Sequence, residues 1–453
     1  MKQDDLITLT IESQGVDGVG IGKCQGFTVF VPYALAGDQI VAKVDFVNRK
    51  KSVVFASLKE VQVPSQNRVE APCPVFGKCG GCNLQNATYQ SQLQFKAEKV
   101  KKNFAKLAGI DIPLPEIVAS PLQFGYRNKI ALPVSGKKGN VVLGMYKTGT
   151  HQVVSLPNND CLLCQDWAKK VAVLCQNFFN ESKIEPYNSK YNSGLVKHVV
   201  ARFVDGQLLL TVVATKGGAI DYAPLKKQLD RNWAKWGLYE NVNSLGNNVI
   251  LSGKSNHVDG IEAIQSEMGA IKYFIHPDSF FQVNTQAKDL LYKKVKEFVQ
   301  EFQTEVLLDC FSGVGLLTAS LYDESYDTFA FEIEPSATQS ADQMKIANNL
   351  VRLQNVCGDV LEQLPKVICK LKEKKTTAVV DPPRKGLSPQ VIKMFSQNGA
   401  NNVVYVSCDS ATLARDVGLF VQNGYSISKI CCFDLFPNTD HVESLVCLQR
   451  QTN

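Results

Sequence analysis

Over the first 62 residues, apolar and polar positions alternate in short runs: LITLTIE, GFTVFVP, QIVAKVDFV and SVVFASLKEV. The glycine-rich stretch GVDGVGIGK lies between the first two and reads as a turn region. Period-two alternation broken by turn residues every 8–12 positions or so predicts short strands with one buried face. Such strands in a segment this small suit an OB-like barrel, a fold that commonly binds oligonucleotides. On it Lys23, Arg49, Lys50 and Lys51 are candidate contacts to a nucleic-acid backbone, whereas Phe27 and Phe30 are expected in the core.

The polar, proline-containing run VPSQNRVEAPCP (63–74) reads as a linker. After it, TYQSQLQFKAEKVKKNFAKLAG (88–109) has helical periodicity, with Leu93, Val100, Phe104 and Leu107 on or near one face and Gly109 as a stop. Residues 127–260 mix the strand-like runs KIALPV, VVLGMY, VVARFV and LLLTVVA with a helical stretch around 164–180, and they carry no catalytic motif. From about residue 290 apolar strands alternate with helices: VLLDC (306–310), TFAFEI (328–333), AVVD (378–381), NVVYVSC (402–408) and SLVCLQ (444–449). That alternation predicts a doubly wound, Rossmann-like α/β domain. The expected division is 1–62, 63–270 and 271–453, with 88–126 available to pack against the last unit. No internal repeat or low-complexity tract interrupts the pattern.

Composition narrows the class. The 453 residues are 20% charged and 45% hydrophobic, an ordinary globular balance, and no apolar run of 18 or more residues is present to span a membrane. MKQDDLITLTIE lacks the basic flank and apolar core of a secretory signal, so the fourteen cysteines are expected as reduced thiols in the cytoplasm. The net charge of +6 is unevenly spread. Residues 1–70 hold 8 Lys/Arg and 8 Asp/Glu, residues 71–160 hold 11 and 4, and residues 161–453 hold 30 and 31. The excess therefore falls in one 90-residue segment, which suits a polyanionic partner such as RNA.

Candidate chemistry concentrates in the α/β region. VLLDCFSGVGLLTASLY (306–322) reads as strand, glycine turn and helix, with Gly313 and Gly315 permitting close approach of a ligand to backbone. Thr318 stands where the dinucleotide fingerprint has its third glycine, which disfavours a pyrophosphate cofactor. Asp309 before the turn points instead to a cationic one, such as S-adenosylmethionine. Glu332 ends the next strand, where an acid can bond ribose hydroxyls, and Asp359 after a third apolar stretch suits an adenine amino group. At two further strand ends lie Asp381-Pro382-Pro383-Arg384 and Val406-Ser407-Cys408-Asp409. Arg384 occupies the place where amino-group methyltransferases carry a stacking aromatic. Cys408 is positioned as a nucleophile, and Glu443, between a polar loop and the final strand, as a general base. Thiol, sulfonium site and carboxylate together fit methylation of carbon 5 of uracil, a base that must be flipped out of its stack.

At this point the chain resembles the RNA uracil-5-methyltransferase family. The matching motifs are DGVGIGK…VFVPYALAGD (17–38), CPVFGKCGGC (73–82), HPDSFFQVN (276–284), DCFSGVG (309–315), DPPRKG (381–386), SCDSATLARD (407–416) and HVE (441–443). The resemblance is to the branch with an N-terminal TRAM domain and an iron–sulfur cluster, and most of all to the bacterial 23S ribosomal RNA enzymes. It implies Cys408 as nucleophile, Glu443 as base, and Gln282, Phe311, Glu332 and Asp381 as S-adenosylmethionine contacts, with Asp359 a further candidate. Two departures stand out: Asp409-Ser410 where Asn-Pro is usual after the cysteine, and Ser312 where a cysteine is frequent. In domain terms it implies a TRAM barrel over 1–62, an iron–sulfur and RNA-binding α+β domain over 63–270 and a catalytic domain over 271–453.

Cys73, Cys79 and Cys82 lie within ten residues, and Gly80 and Gly81 free backbone N–H groups to point at sulfur. The resemblance implies a [4Fe–4S] cluster with Cys161 as fourth ligand; the expected role is structural, closing a long loop and holding the basic segment against RNA, with a redox role left open. Spacing does not choose between Cys161 and Cys164, and the two C-x-x-C pairs leave zinc open. The expected partner is 23S ribosomal RNA, with the T-loop uridine of transfer RNA as the nearest alternative substrate and a non-catalytic RNA-binding or chaperone module as the alternative class. No membrane association or obligate protein partner is expected.

Overall fold

The computed structural model describes residues 1–451 except 370, 372–373 and 399. Strands β1 (Leu6–Gln14), β2 (Gly20–Cys24), β3 (Phe27–Val31), β4 (Gln39–Asn48) and β5 (Val53–Val63) close a barrel in the order β1-β2-β3-β5-β4. Its interior is filled by small and branched side chains, including Ile11, Val29, Ile40, Val44 and Val54. The glycine-rich stretch expected as a turn contains β2. The glycines mark close backbone approach within a strand: a Cβ on Gly20 would stand 2.6 Å from the Ala34 carbonyl oxygen, and one on Gly22 2.5 Å from that of Thr10. Phe27 is partly buried against the barrel core, as expected, whereas Phe30 is half-buried on the outer face. The expected linker is pinned to the barrel. The Asp38 carboxylate, fully buried, accepts from the backbone N–H groups of Leu35 and Ser65 and from Nε and Nη2 of Arg68, the last at 2.5 Å.

Helix α1 (Tyr89–Asn103) begins at Thr88, whose hydroxyl accepts from Ser91 N–H, runs into a π-helical turn (Phe104–Ala108), and stops at Gly109 with φ 68°. Strand β6 (Glu116–Val118) follows. The central unit is a seven-stranded sheet of β7 (Lys129–Lys137), β8 (Asn140–Tyr146), β9 (Val153–Ser155), β10 (Val196–Val204), β11 (Gln207–Ala214), β12 (Lys235–Val242) and β13 (Asn256–Gly260), ordered β13-β12-β11-β10-β7-β8-β9. Helices α2 (Asp166–Glu181) and α3 (Ala223–Asn232) cover one face. On the other face Val204, Leu209 and Tyr239 pack with Ile264 and Ile275 of the hairpin β14 (Ile264–Met268) and β15 (Ile271–Ile275).

The remaining chain runs α4 (Thr285–Glu301), β16 (Val306–Cys310), α5 (Leu316–Leu321), β17 (Asp327–Glu332), α6 (Pro335–Ala347), β18 (Leu353–Cys357), α7 (Val360–Ile368), β19 (Thr376–Val380), α8 (Pro389–Asn398), β20 (Asn402–Ser407), α9 (Ser410–Gln422), β21 (Tyr425–Phe433) and β22 (Glu443–Arg450). Its sheet has the order β18-β17-β16-β19-β20-β22-β21-β6, with β22 antiparallel to both neighbours. The order reverses between β16 and β19, so a crevice opens at their carboxyl ends. Strand β6 extends the far edge of this sheet, and Asn103 donates to the Ser410 hydroxyl at 2.8 Å, so residues 88–118 pack as part of the α/β unit. Among the described residues no helix is long and apolar enough to cross a membrane.

One buried ion pair joins these parts. Lys96 Nζ on α1 lies 2.5 Å from Asp434 Oδ1, both side chains without solvent exposure, and it also donates to the Phe436 carbonyl at 3.0 Å. Removing one member of such a pair strands the other charge, a loss of about 3–5 kcal/mol, whereas replacing both with apolar side chains is far less damaging. Lys96→Met is therefore expected to lower the urea midpoint sharply and to raise hydrogen exchange over residues 434–443. The Lys96→Met/Asp434→Leu double variant should recover most of the loss. Equal midpoints for the single variant and the wild type would refute this role.

Candidate active site

The site starts from the turn after β16. Phe311 takes φ 71°, Gly313 56° and Gly315 82°, and the N–H groups of Phe311 and Ser312 both donate to the Phe331 carbonyl at 3.0 Å. Gly315 has no room for a side chain: a Cβ would meet that of Ala341 at 3.0 Å. At Gly313 a Cβ would touch nothing within 4 Å, so the backbone there faces open space. Glu332 braces the turn. Its carboxylate accepts from Gly313 N–H and Glu334 N–H, each at 2.8 Å. Asp359 is exposed and caps α7, accepting from Leu361 N–H at 2.8 Å.

Beside this turn lies a cavity of about 430 Å³. Five segments distant in sequence supply its walls. Gln282 comes from the loop before α4, Phe311 from the glycine turn, Asp381 from the end of β19, Cys408 from the end of β20, and Glu443 from the start of β22. Glu332 and Asp359 are not among the lining residues. Asp309, Tyr292, Arg384 and His441 are.

Charge in this cavity is unusual. Burial pushes the Asp309 carboxyl up to about 7 against the opposing bond from the Thr318 hydroxyl. Burial, reinforced by Asp309, does the same to Asp381. Glu443 is held well above the carboxylate range by burial and then by Asp381, with Arg384 pulling the other way, and its Oε1 has no hydrogen-bond partner. The Cys408 thiol is raised to about 11, chiefly by burial and next by Glu443, while Arg384 favours the thiolate through charge and a hydrogen bond. Burial also lowers the His441 pKa, which favours a neutral imidazole. The result is an apolar chamber with several acid groups that resist ionising and one arginine facing the thiol.

Two sets of contacts hold the loop segments of this chamber. The segment Ser279–Gln282 is gripped from the central sheet: Arg202 donates to the Ser279 carbonyl at 3.2 Å, and Asn128 Nδ2 to the Gln282 carbonyl at 2.9 Å. The Phe281 ring has the Arg202 guanidinium at 5.5 Å and the Lys288 ammonium at 5.2 Å. The loop carrying His441 and Glu443 is gripped by residues 83–99. Asn83 and Leu84 N–H groups donate to the Asn438 carbonyl, Gln92 accepts from Asn438 N–H at 2.8 Å, and Lys99 lies 3.0 Å from Asp440. Sequence reasoning missed Arg202, Asn128, Lys288 and Tyr292, whose strands and helix show no local motif. His441 lay inside the HVE motif unremarked.

A second cavity is lined by Cys73, Cys79, Cys82, Cys161 and Cys164 together with Arg127. Gly81 N–H donates to Cys79 Sγ at 3.3 Å. Among the described residues no three His, Cys, Asp or Glu side chains are arranged to hold a metal ion. Both Cys161 and Cys164 reach the cavity, so position does not choose between them.

The model of the tRNA (uracil-5-)-methyltransferase family matches residues 88–451. An uncharacterized RNA methyltransferase of Clostridium tetani is 33% identical over 453 residues, covering 98% of this chain and 96% of its own length. One from Listeria innocua is 30% identical, covering 99% and 98%. Among solved structures, the Pyrococcus abyssi tRNA (uracil-54, C5)-methyltransferase in complex with S-adenosyl-L-homocysteine matches with TM-score 0.79 and 29% identity, over 97% of this chain and 99% of that one.

The charge balance at Cys408 is directly measurable. Its alkylation, followed by peptide mass spectrometry, should reach half its maximal rate near pH 11. Arg384→Gln should push that midpoint higher, because a favourable charge is lost, and Glu443→Gln should bring it down, because an unfavourable one is lost. A midpoint at the ordinary thiol value in all three proteins would contradict the arrangement described.

Proposed function

The chain belongs to the tRNA (uracil-5-)-methyltransferase family, and from that premise we propose that it transfers a methyl group from S-adenosylmethionine to carbon 5 of a uridine in 23S ribosomal RNA, giving 5-methyluridine. The observation that carries this reading is the meeting of Cys408 and Glu443 in one cavity with Asp309 and Asp381, at the point where strand order reverses.

Carbon 5 of uracil is a weak nucleophile. The Cys408 thiol gives up its proton to solvent, with Arg384 favouring the thiolate, its sulfur adds to carbon 6, and the electron pair displaced from the 5,6 double bond makes carbon 5 electron-rich. S-adenosylmethionine, when bound, would supply an electrophilic methyl group that carbon 5 takes, leaving the donor as a neutral thioether. Glu443, acting in its carboxylate form, removes the carbon 5 proton, the bond between carbon 6 and the Cys408 sulfur breaks, and Cys408 leaves as a thiolate that Arg384 stabilises. Gln282, Phe311, Glu332 and Asp381 are the donor contacts in this reading. The crowding of Asp309 and Asp381 supports a cationic ligand, since a positive charge between them relieves the cost of ionising both. Glu332 acts mainly by holding the Gly313 turn, and Asp359 is a peripheral candidate.

A second substrate, the T-loop uridine of transfer RNA, is favoured by one observation: the match along nearly the whole chain to a structure whose name states a tRNA uracil-54 activity. Mapping of 5-methyluridine in ribosomal and transfer RNA from cells with and without the gene separates the two.

We read residues 1–62 as a TRAM barrel and the second cavity as the seat of a [4Fe–4S] cluster on Cys73, Cys79, Cys82 and Cys161. The soft donor set, the Gly81 N–H directed at sulfur and the cationic Arg127 support an anionic thiolate-bound centre. Its role is structural, since Asn83 and Leu84, directly after Cys82, hold the loop that bears Glu443. Protein purified without oxygen should contain iron and acid-labile sulfide in equal amounts, and Cys79→Ser should lose both. A colourless wild-type protein with one zinc would overturn the assignment.

Two further outcomes are expected. With RNA containing 5-fluorouridine, where fluorine blocks proton removal, a denaturant-stable adduct should form through Cys408. Cys408→Ala should form none, and Glu443→Gln should turn over normal RNA far more slowly. Absence of any adduct with ribosomal or transfer RNA would favour the non-catalytic alternative. Because Asp309 and Asp381 are largely protonated below about pH 7, S-adenosylmethionine should bind more tightly as pH rises from 6 to 8. S-adenosylhomocysteine, without the sulfonium charge, should change much less, and equal pH dependence for the two ligands would count against the acids as the sulfonium site.

A further inference from the structure

The barrel carries a feature that its core does not require. Phe30 on β3 pairs directly with Phe55 on β5, and Phe55 with Phe46 on β4, so three rings form one cross-strand row. Their side chains point away from the barrel interior, which Val29, Val31, Val44, Val54 and Ala56 fill. Phe30 and Phe55 stack with centroids 5.5 Å apart at 22°, and Phe46 and Phe55 lie 6.4 Å apart at 32°. Phe55 and Phe46 are 49% and 57% exposed. Single exposed rings are commonplace, but a contiguous aromatic row on a small barrel is a patch that marks an interaction surface.

Its surroundings select the partner. The row lies two residues in from the β4–β5 turn, which holds Arg49, Lys50 and Lys51. That turn is adjacent to the start of β3, since Thr28 N–H donates to the Ser52 carbonyl, and the β2–β3 turn next to it brings Lys23. All four basic side chains are exposed, and none forms an ion pair among the described residues. The opposite end of the barrel is occupied, where Asn83 donates to the Asp17 carbonyl and Tyr33 packs on Phe76. The aromatic row and its basic rim are therefore the part of the barrel left open. Every nucleobase has a flat π face and every phosphate a negative charge, so near-parallel rings beside unpaired cations suit an unpaired RNA strand.

We propose that Phe30, Phe55 and Phe46 form a stacking platform for unpaired bases of the substrate RNA, with Lys23, Arg49, Lys50 and Lys51 holding the adjoining phosphates. This rests on the RNA-methylating reading of the chain and deepens it: the barrel selects single-stranded context away from the target uridine. The rings bond bases by their faces, so the platform discriminates strandedness more than sequence. The direct cross-strand pairing also stiffens the barrel, which is why the test separates stacking from bulk.

The experiment uses the full-length protein, a short unstructured oligouridine and a blunt RNA duplex of equal length. Phe46→Leu/Phe55→Leu keeps apolar bulk and removes the π faces; Phe46→Tyr/Phe55→Tyr keeps them. The Leu variant should weaken single-strand binding by about tenfold or more, with duplex binding unchanged, and the Tyr variant should match the wild type. Lys50→Ala/Lys51→Ala should instead flatten the dependence of log affinity on log salt by about 1.4, at about 0.7 for each phosphate no longer neutralised. Oligouridine with 5-iodouridine should cross-link at Phe46 or Phe55, as read by peptide mass spectrometry. Unchanged single-strand affinity in the Leu variant, the result a protein-docking patch would give, would overturn the proposal. So would an equal loss on duplex or cross-links confined to other domains. The 5-fluorouridine adduct of the wild type, measured in parallel, reports on the methylating reading alone, so a failure of either is seen separately.

Discussion

Asp309, Asp381 and Glu443 share an apolar chamber at the carboxyl ends of a parallel sheet, and the cost of charging them there conditions the rest of the site. Water is largely excluded, so each carboxyl raises the pKa of its neighbours as well as suffering its own desolvation. Two of the three settle near neutrality, where a modest change in surroundings decides their state. A cation entering between Asp309 and Asp381 would draw off their protons, and its own desolvation would be offset in the same step. On the proposed reading, the chamber would hold a sulfonium more tightly than the neutral thioether left after transfer, which would favour release of the spent donor. The same logic reaches Cys408. Its thiol is held neutral while acids crowd it, and Arg384 supplies the opposing charge. A reactive sulfur kept protonated in the resting protein is protected from adventitious alkylation and oxidation.

This balance needs fixed distances: Asp309, Asp381 and Cys408 sit on or directly after buried strands, whereas the Gln282 and Glu443 segments are loops held from outside. The Glu443 loop leaves the sheet after β21 and returns at β22. What fixes it is the buried Lys96–Asp434 pair at its base and the Asn83, Gln92 and Lys99 contacts along it. The Gln282 segment is held by Arg202 and Asn128 from the central sheet. Catalytic geometry is thereby distributed across all three parts of the chain. The cysteine loop and the central sheet each touch a segment that ends in the chamber, and the barrel is joined to the cysteine loop through Asn83 and Phe76.

Legibility in the sequence followed the range of the interactions. The alternation of strands and helices after residue 290 predicted the doubly wound sheet because each element signals its own period. Strands β21 and β6 escaped: β21 alternates weakly, and β6 has only three residues. The glycines of β2 were misread because a glycine needed for a tight approach looks the same as one needed for a turn. Cys408, Glu443, Asp381 and Gln282 were legible as motif residues, and the structure brings them into one cavity. Their electrostatic environment was not, since it arises from burial and from neighbours contributed by distant segments. Arg202 illustrates the limit. It sits in an apolar strand, VVARFV, and only the packing of the central sheet on the loop before α4 gives its guanidinium a carbonyl to bond.

The same limit explains why Phe30 was expected inside the barrel. Period-two alternation assigns one face of each strand to the interior, and rings are by default assigned to that face. In a five-stranded barrel the interior has space for valine, isoleucine and alanine, and these occupy it. Phe27 packs against that core, while the rings of Phe30, Phe46 and Phe55 lie on the outer face. Their mutual packing accounts for part of their area, but the outer faces of Phe46 and Phe55 stay exposed, which suits a ligand that covers them. The adjoining cations, unpaired with any carboxylate of the barrel, make the same demand for a negative partner. Both demands are met by one extended polyanion with flat apolar faces, and the barrel's free end is where such a strand would lie without competing with the contacts that fix the Glu443 loop.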